Sequence, residues 1–120
     1  MKIFITGSTG FVGKNLIKYY SHEEVKPYYR ENDLSFELEN FKPDVIINSA
    51  AEIYDDSVMW ESNVVLTKKC LDYVKNNPTT KMVQIGSSSE YGPMPRASSE
   101  KDLINPVDMY QATKGMCTLY

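Results

Sequence analysis

Apolar residues occur in short runs along the chain. The runs Lys2–Thr6, Asp44–Ala50 and Lys81–Gly86 are β-branched or aromatic and end at turn residues, which is typical of buried parallel strands. A weaker run, Val25–Tyr29, predicts a fourth strand.

Helical periodicity fills the segments between these runs. Apolar residues recur at helical spacing over Phe11–Tyr20 and Val58–Asn76. A polar loop from Pro93 to Pro106 then precedes a last helix, which begins near Val107 or Asp108. Alternating strands and helices predict an α/β fold of Rossmann type, a doubly wound parallel sheet in three α/β/α layers.

Composition narrows the functional classes. The 120 residues carry a net charge of −3, whereas nucleic-acid or anionic-membrane binding calls for a basic face. No apolar run has transmembrane length, and the N-terminus lacks the pattern of a signal peptide. Cys70 and Cys117 form neither a metal pattern nor a disulfide pattern, so we expect a cytoplasmic protein without a metal site.

A glycine loop follows the first strand. Gly7 permits a tight turn, Gly10 lets the backbone approach a pyrophosphate, and Gly13 lets the next helix pack closely. The helix N-terminus adds free N–H groups and a partial positive charge, which favour a phosphate. The loop residues expected to bind a dinucleotide are Gly7, Ser8, Thr9, Gly10, Phe11, Val12 and Gly13.

The end of the second strand bears on the choice of cofactor. Arg30 is suited to pair with the 2′-phosphate of NADP, whereas Glu31 is suited to accept a hydrogen bond from the ribose of NAD. Both residues also fit solvated loop charges. We favour NADP over NAD.

A serine cluster and a Tyr-Lys pair supply candidate chemistry. Lys114 lies four residues, or one helical turn, after Tyr110, so its positive charge favours the phenolate. A serine from Ser87–Ser89 can hold the same substrate oxygen. One such Tyr-Lys pair is expected by chance, and the order glycine loop, serine strand, Tyr-Lys helix is the informative feature.

These motifs together resemble the extended short-chain dehydrogenase/reductase family of nucleotide-sugar epimerases, dehydratases and reductases. The resemblance rests on Thr6–Gly13, Asp44–Ala51, Asn63, Gly86–Gly92 and Tyr110–Lys114. It implies that residues 1–120 are the NAD(P)-binding Rossmann domain, the N-terminal cofactor half, without the substrate domain. The family's usual glycine after Asn63 is Leu66 here.

The resemblance assigns roles to the catalytic candidates. It makes Tyr110 the general acid/base, Lys114 its partner, and Ser87 or Ser88 the ligand of the substrate oxygen, with Ser89 beside them. In the ungapped register Ser89 occupies the position of the glutamate that assists dehydration, which favours an epimerase or reductase. A one-residue deletion would place Glu90 there and favour a dehydratase.

The resemblance also implies cofactor contacts outside the glycine loop. The short segment before Asp44 is similar to that of compact reductases and favours NADP. The further contacts implied are Asp33 and Leu34 near the adenine, Ala50, Ala51, Asn63, Tyr110 and Lys114.

Two alternatives to a working enzyme remain open. The family continues for a further substrate domain, so we expect the isolated chain to be inactive. The chain is then either one half of a nucleotide-sugar enzyme or a non-catalytic dinucleotide-binding module or fragment that needs a partner chain. The family also implies a homodimer through helices, for which Met59, Trp60, Met116 and Leu119 are candidates, with a buried core as the alternative.

Overall fold

The structure, a computed structural model, describes residues 1–120 and divides into two compact units. The sheet unit comprises Met1–Ala50 and Thr67–Ile85. The helical unit comprises Ala51–Leu66 and Gly86–Tyr120.

The sheet unit is built on four parallel strands in the order β2-β1-β3-β4. Its strands are β1 (Lys2–Thr6), β2 (Glu24–Pro27), β3 (Val45–Asn48) and β4 (Lys81–Gln84). The prediction of a parallel α/β sheet is confirmed. The last three strands each end two residues earlier than the apolar runs suggested, because the chain then leaves the sheet as a loop.

The helices come from both units. They are α1 (Phe11–Tyr19), α2 (Leu34–Phe41), α3 (Asp56–Met59), α4 (Leu66–Asn76) and α5 (Met109–Leu119), with a π-helix at Trp60–Val65 and a 3-10 helix at Ser88–Tyr91. No helix combines the length and the apolar character needed to cross a bilayer.

The core of the sheet unit follows the alternation of the strands. Ile3, Ile5 and Ile47 point to one face of the sheet, where Leu16 and Ile17 of α1 pack against them. On β1 the alternate residue Phe4 is fully buried beside the Tyr28 and Phe41 rings. Leu16 and Ile17 thereby hold α1 against one face of the sheet.

Helix α2 was not predicted from the sequence. Asp33 caps it by accepting a hydrogen bond from the Phe36 N–H at 2.7 Å, and Leu34 and Leu38 lie buried. Lys42 ends it in the left-handed conformation, with φ of 51°. Only two of its eight residues are buried, so its apolar pattern is weak.

The structure differs from the predicted helix Val58–Asn76 in its start and in its regularity. The helix begins at Asp56, with Asp55 as its cap, and widens into the π-helix Trp60–Val65 before α4. Asp108 caps α5 by accepting from the Gln111 N–H at 2.7 Å. The π-helix and the 3-10 helix both pack against α5.

The four candidate residues for a homodimer interface differ in solvent exposure. Met59 is buried in the helical unit, so for this residue the alternative of a core position holds. Trp60, Met116 and Leu119 are exposed.

Candidate functional site

The first part of the candidate site is the turn after β1, in the sheet unit. Gly7 has φ of +66°, a conformation that a side chain rarely tolerates. A Cβ on Gly7 would also lie 2.6 Å from the Ala50 nitrogen and 2.7 Å from the Ser49 carbonyl. The turn therefore requires glycine both for its conformation and for its contact with the end of β3.

The N-terminus of α1 is bare. Gly10 is its N-cap and offers no side chain, and the first turn contains no acidic residue. A Cβ on Gly13 would overlap the Gly7 carbonyl oxygen, so Gly13 brings the helix against the turn. Backbone N–H groups without a side-chain partner suit a phosphate, and this glycine cradle fits the pyrophosphate of a dinucleotide.

The other residues of the glycine loop differ in exposure. Ser8 is buried, and its hydroxyl donates to the Tyr28 carbonyl at 2.6 Å, which joins the loop to the end of β2. Thr9, Phe11 and Val12 are exposed, and the Phe11 side chain is 86% accessible.

The structure also locates the candidates for the adenosine end of the cofactor. Arg30 and Glu31 are exposed just after β2. The Asp33 carboxylate already caps α2, and the Leu34 side chain is in the core. The atoms of Asp33 and Leu34 that stabilise α2 are therefore already engaged, and an adenine could contact only their remaining exposed atoms.

The serines lie at the start of the helical unit's second segment. The Ser87 hydroxyl accepts from the Ser89 N–H at 3.3 Å, and the two hydroxyl oxygens are 2.6 Å apart. Ser87 thereby caps the 3-10 helix, while Ser88 is exposed. These two hydrogen bonds keep the Ser87 oxygen in a fixed position.

The Tyr-Lys pair occupies the first half of α5. Tyr110 is half-buried, and the Lys114 side chain is buried with only 3% of its surface accessible. Burial lowers the pKa of Lys114, and the Cys117 and Glu90 charges act against that shift. The helix therefore carries an ammonium in a desolvated position, one turn from a phenol.

Asn63 fixes the orientation of α5 from the π-helix. Its amide oxygen accepts from the Glu52 N–H at 2.7 Å, and its amide nitrogen donates to the Glu52 carbonyl at 3.0 Å and to the Thr113 hydroxyl at 2.9 Å. The Cys117 thiol donates to the Asn63 carbonyl at 3.1 Å. Both ends of this buried amide thus bind protein groups, and Thr113 adjoins Lys114.

Glu90 is the second buried polar residue that faces α5. Its carboxylate accepts from the Thr118 hydroxyl at 2.9 and 3.1 Å, and only 4% of its surface is accessible. Its Cβ would lie 3.8 Å from a Cβ on Gly115. The carboxylate is therefore turned into the packing of α5.

Four residues of this network escaped the sequence reasoning as parts of a site. The missed residues are Glu52, Glu90 (considered only in the gapped register), Thr113 and Thr118. Thr113 adjoins Lys114 at a buried position of α5, where an apolar residue would satisfy a helix core, and this was the available signal for Thr113. Thr118 is exposed and has no such signal. No group of three or more His, Cys, Asp or Glu side chains is arranged to hold a metal ion.

Comparison with known proteins identifies the family of this chain. Residues 3–120 match the NAD dependent epimerase/dehydratase family. The chain belongs to this family. It is 28% identical to the GDP-L-colitose synthase of Yersinia pseudotuberculosis over 131 aligned residues, which cover 96% of the chain and 42% of that protein.

Solved structures of family members show the same fold. A dTDP-4-dehydrorhamnose reductase from Clostridium acetobutylicum superposes with a TM-score of 0.86 at 26% identity, over 99% of this chain and 48% of the reductase. The UDP-glucuronic acid 4-epimerase of Bacillus cereus, in complex with NAD, gives 0.79 at 24% identity and covers 99% of this chain and 50% of the epimerase. This epimerase/dehydratase family chain spans about half the length of the relatives that it matches.

Proposed function

We propose that the protein is an NAD(P)-dependent oxidoreductase or epimerase that acts on a nucleotide sugar. The observation that carries the proposal is the buried Lys114, one turn after Tyr110 on a helix of a family member. A buried ammonium is costly unless it serves a charged partner. The phenolate formed by proton transfer at Tyr110 would add a negative charge one turn away from it.

The proposed chemistry divides between proton and hydride. The Tyr110 hydroxyl takes or gives the proton of a sugar oxygen, and the Lys114 ammonium stabilises the phenolate that forms. The Ser87 or Ser88 hydroxyl donates a hydrogen bond to the same oxygen and orients it. The nicotinamide, when bound, supplies the hydride acceptor or donor.

The glycine cradle supports binding of the dinucleotide. Backbone N–H groups at the start of α1 would hold the pyrophosphate, and the lack of side chains at Gly7 and Gly13 allows the close approach. Exposed Arg30 would pair with a 2′-phosphate, so we propose NADP over NAD.

The nucleotide-sugar substrate is inferred from relatives. The proteins that the chain resembles include a GDP-L-colitose synthase, a dTDP-4-dehydrorhamnose reductase and a UDP-glucuronic acid 4-epimerase. Glu90 is turned into α5 and Ser89 holds Ser87, so neither is placed to assist dehydration. We therefore favour epimerisation or reduction.

The first test is titration of the intact protein with NADPH and NADH, followed by calorimetry. We expect saturable binding, tighter for NADPH, and equal affinity for the two cofactors in Arg30→Ala. Glu31→Ala is the matched control and should keep the preference. Absence of binding to a folded protein would contradict the proposal.

The second test separates an enzyme from a binding module. Tyr110→Phe should retain dinucleotide binding but lose turnover of GDP-, dTDP- or UDP-sugars by a factor of about 10² to 10⁴, since only the acid/base step is removed. Tyr120→Phe, at the opposite end of α5, should leave turnover unchanged. Binding in the wild type with no oxidation or reduction of any sugar would favour the non-catalytic module.

A further inference from the structure

A buried carboxylate lies beside the Tyr-Lys helix without a role in the proposed chemistry. Glu90 sits on the 3-10 helix, next to Tyr91, and its accessible surface is 4%. A carboxylate withdrawn from water is stable only when hydrogen-bonded or paired with a positive charge. The hydrogen-bond donors and positive charges near Glu90 therefore indicate its role.

Thr118 fixes this carboxylate in position. The Thr118 hydroxyl donates to the two Glu90 oxygens at distances of 2.9 and 3.1 Å, so the group is held by one turn of α5. Gly115 lies between Lys114 and Thr118 in the chain, and a Cβ on it would be 3.8 Å from the Glu90 Cβ and 2.8 Å from the Ile104 side chain. The absence of a side chain at Gly115 makes room for Ile104, while Glu90 lies at ordinary van der Waals distance from this point of the helix, next to Lys114.

Lys114 is the only basic residue of α5. Other ionisable groups on the elements packed against α5 are placed differently. Asp56 of α3 and Glu61 of the π-helix are exposed, and Tyr91 is half-buried beside Glu90. On α5 itself, Tyr110 precedes Lys114 by one turn and the buried Cys117 thiol follows it by three residues. Glu90 is thus the only buried acidic residue of the unit.

We propose that Glu90 is a positioning residue whose fixed negative charge beside α5 favours the charged form of Lys114. This inference rests on the proposed function, in which Lys114 stabilises the Tyr110 phenolate. Burial alone favours the neutral amine, which would give the phenolate no positive charge. The anchored carboxylate offsets that preference, and Thr118 prevents it from turning away to water.

The test measures the titration of Lys114 directly. The intact protein is labelled at the lysine side chains, and the Lys114 resonance is assigned by its loss in Lys114→Arg. In Glu90→Gln we expect the pKa of Lys114 to fall by about one unit, which is the usual size of the effect of one nearby opposite charge. Glu100→Gln removes the same charge from an exposed loop position and should leave the pKa of Lys114 unchanged.

An unchanged Lys114 titration in folded Glu90→Gln would overturn the proposal, since a purely structural Glu90 would not move it. If Glu90→Gln does not fold, Thr118→Val decides. That variant keeps both charges and removes the anchor, so a lower pKa of Lys114 supports the proposal and an unchanged one overturns it. Thr118→Ser, which retains the hydroxyl, should match the wild type.

The outcome can be separated from that of the proposed function. The lysine titration needs neither cofactor nor substrate, so it remains readable if no dinucleotide binds. If the protein is active, Glu90→Gln should lose turnover at a lower pH on the alkaline side than the wild type. An alkaline limb in the same place would overturn the role of Glu90 in holding Lys114 charged.

Discussion

The candidate residues of the two units are held in position in opposite ways. In the sheet unit, the turn at Gly7 and Gly13 depends on the absence of side chains, because a Cβ at either residue would meet backbone atoms. In the helical unit, α5 is oriented by side chains whose buried polar atoms are all hydrogen-bonded. The first part therefore fails when atoms are added, and the second fails when atoms are removed.

The largest effect should come from adding a methyl group in the sheet unit. In Gly13→Ala the new Cβ overlaps the Gly7 carbonyl oxygen, so helix and turn must separate. We expect a loss of about 3 kcal/mol in the free energy of unfolding, measured with urea, and loss of dinucleotide binding. Gly86→Ala adds the same methyl group where nothing lies within 4 Å, and should be neutral. Equal behaviour of the two variants would contradict the close-contact argument.

Removing an amide from the helical unit should cost less. Asn63→Ala removes the three hydrogen bonds that its side chain makes with the Glu52 N–H, the Glu52 carbonyl and the Thr113 hydroxyl, and we expect a loss of about 2 kcal/mol in the free energy of unfolding, measured with urea. Asn76→Ala removes one exposed side-chain bond, to the Asp72 carbonyl, and serves as the control. If both variants lose the same stability, the buried network does not orient α5.

Alkaline pH should change the stability contributions of Cys70, in the sheet unit, and Lys114, in the helical unit, in opposite directions. Burial raises the pKa of the Cys70 thiol in the sheet unit to about 12, so the unfolded chain loses that proton first, from its ordinary value near 9 upward. Stability contributed by Cys70 therefore falls between pH 9 and 12, by at most about 1.4 kcal/mol per pH unit. Lys114 has a pKa lowered by burial, so its contribution rises with pH up to its ordinary value of 10.5.

Urea unfolding between pH 8 and 11 tests the stability contribution of Cys70. The wild type should lose stability in this range relative to Cys70→Ala, which has no thiol to titrate. Lys114→Met should steepen the fall, because the opposing term is removed. Parallel curves for the wild type and Cys70→Ala would show that the thiol is not the cause.

The smallest effect concerns the loop before α5. Arg96 donates to both Asp102 oxygens, at 2.8 and 2.6 Å, and the Ser99 N–H donates to one of them at 2.8 Å. The Arg96 hydrogen bonds lower the pKa of Asp102 well below its usual range, so the loop keeps these bonds above about pH 4 and loses them as pH falls through the lowered value. Hydrogen exchange of the Ser99 amide should accelerate in strong acid, and in Arg96→Ala already at neutral pH, with global stability unchanged.

The sequence predicted the regular parts of the fold for clear physical reasons. The strand Lys2–Thr6 is buried from Ile3 onward and contains the apolar run Ile3–Ile5. Gly7 marks the turn because its positive φ favours glycine. The parallel sheet and the dinucleotide cradle follow from such local signals. Predicting the sheet and the cradle required no knowledge of contacts between residues distant in the chain.

The remaining features depend on partners far away in the chain. The π-helix at Trp60–Val65 has no local signature, and Asn63 inside it bonds to Thr113, fifty residues later. Glu90 has the sequence context of a loop residue after a serine cluster, yet its hydrogen bonds with Thr118 hold it against α5. Pairings across such sequence distances leave no periodic pattern, so a single sequence does not reveal them.

The segment between Gly92 and Asn105 is closed at its base. The Asn105 N–H donates to the Glu90 carbonyl at 3.0 Å, and Gly92, with φ of +69°, lies against the Asn105 carbonyl. With both ends pinned, the stretch between them can lengthen at small entropic cost, since doubling a flexible loop costs only about 0.6 kcal/mol. This makes the segment a permissive position for an epitope tag or a reporter peptide, which would leave the helix that follows undisturbed.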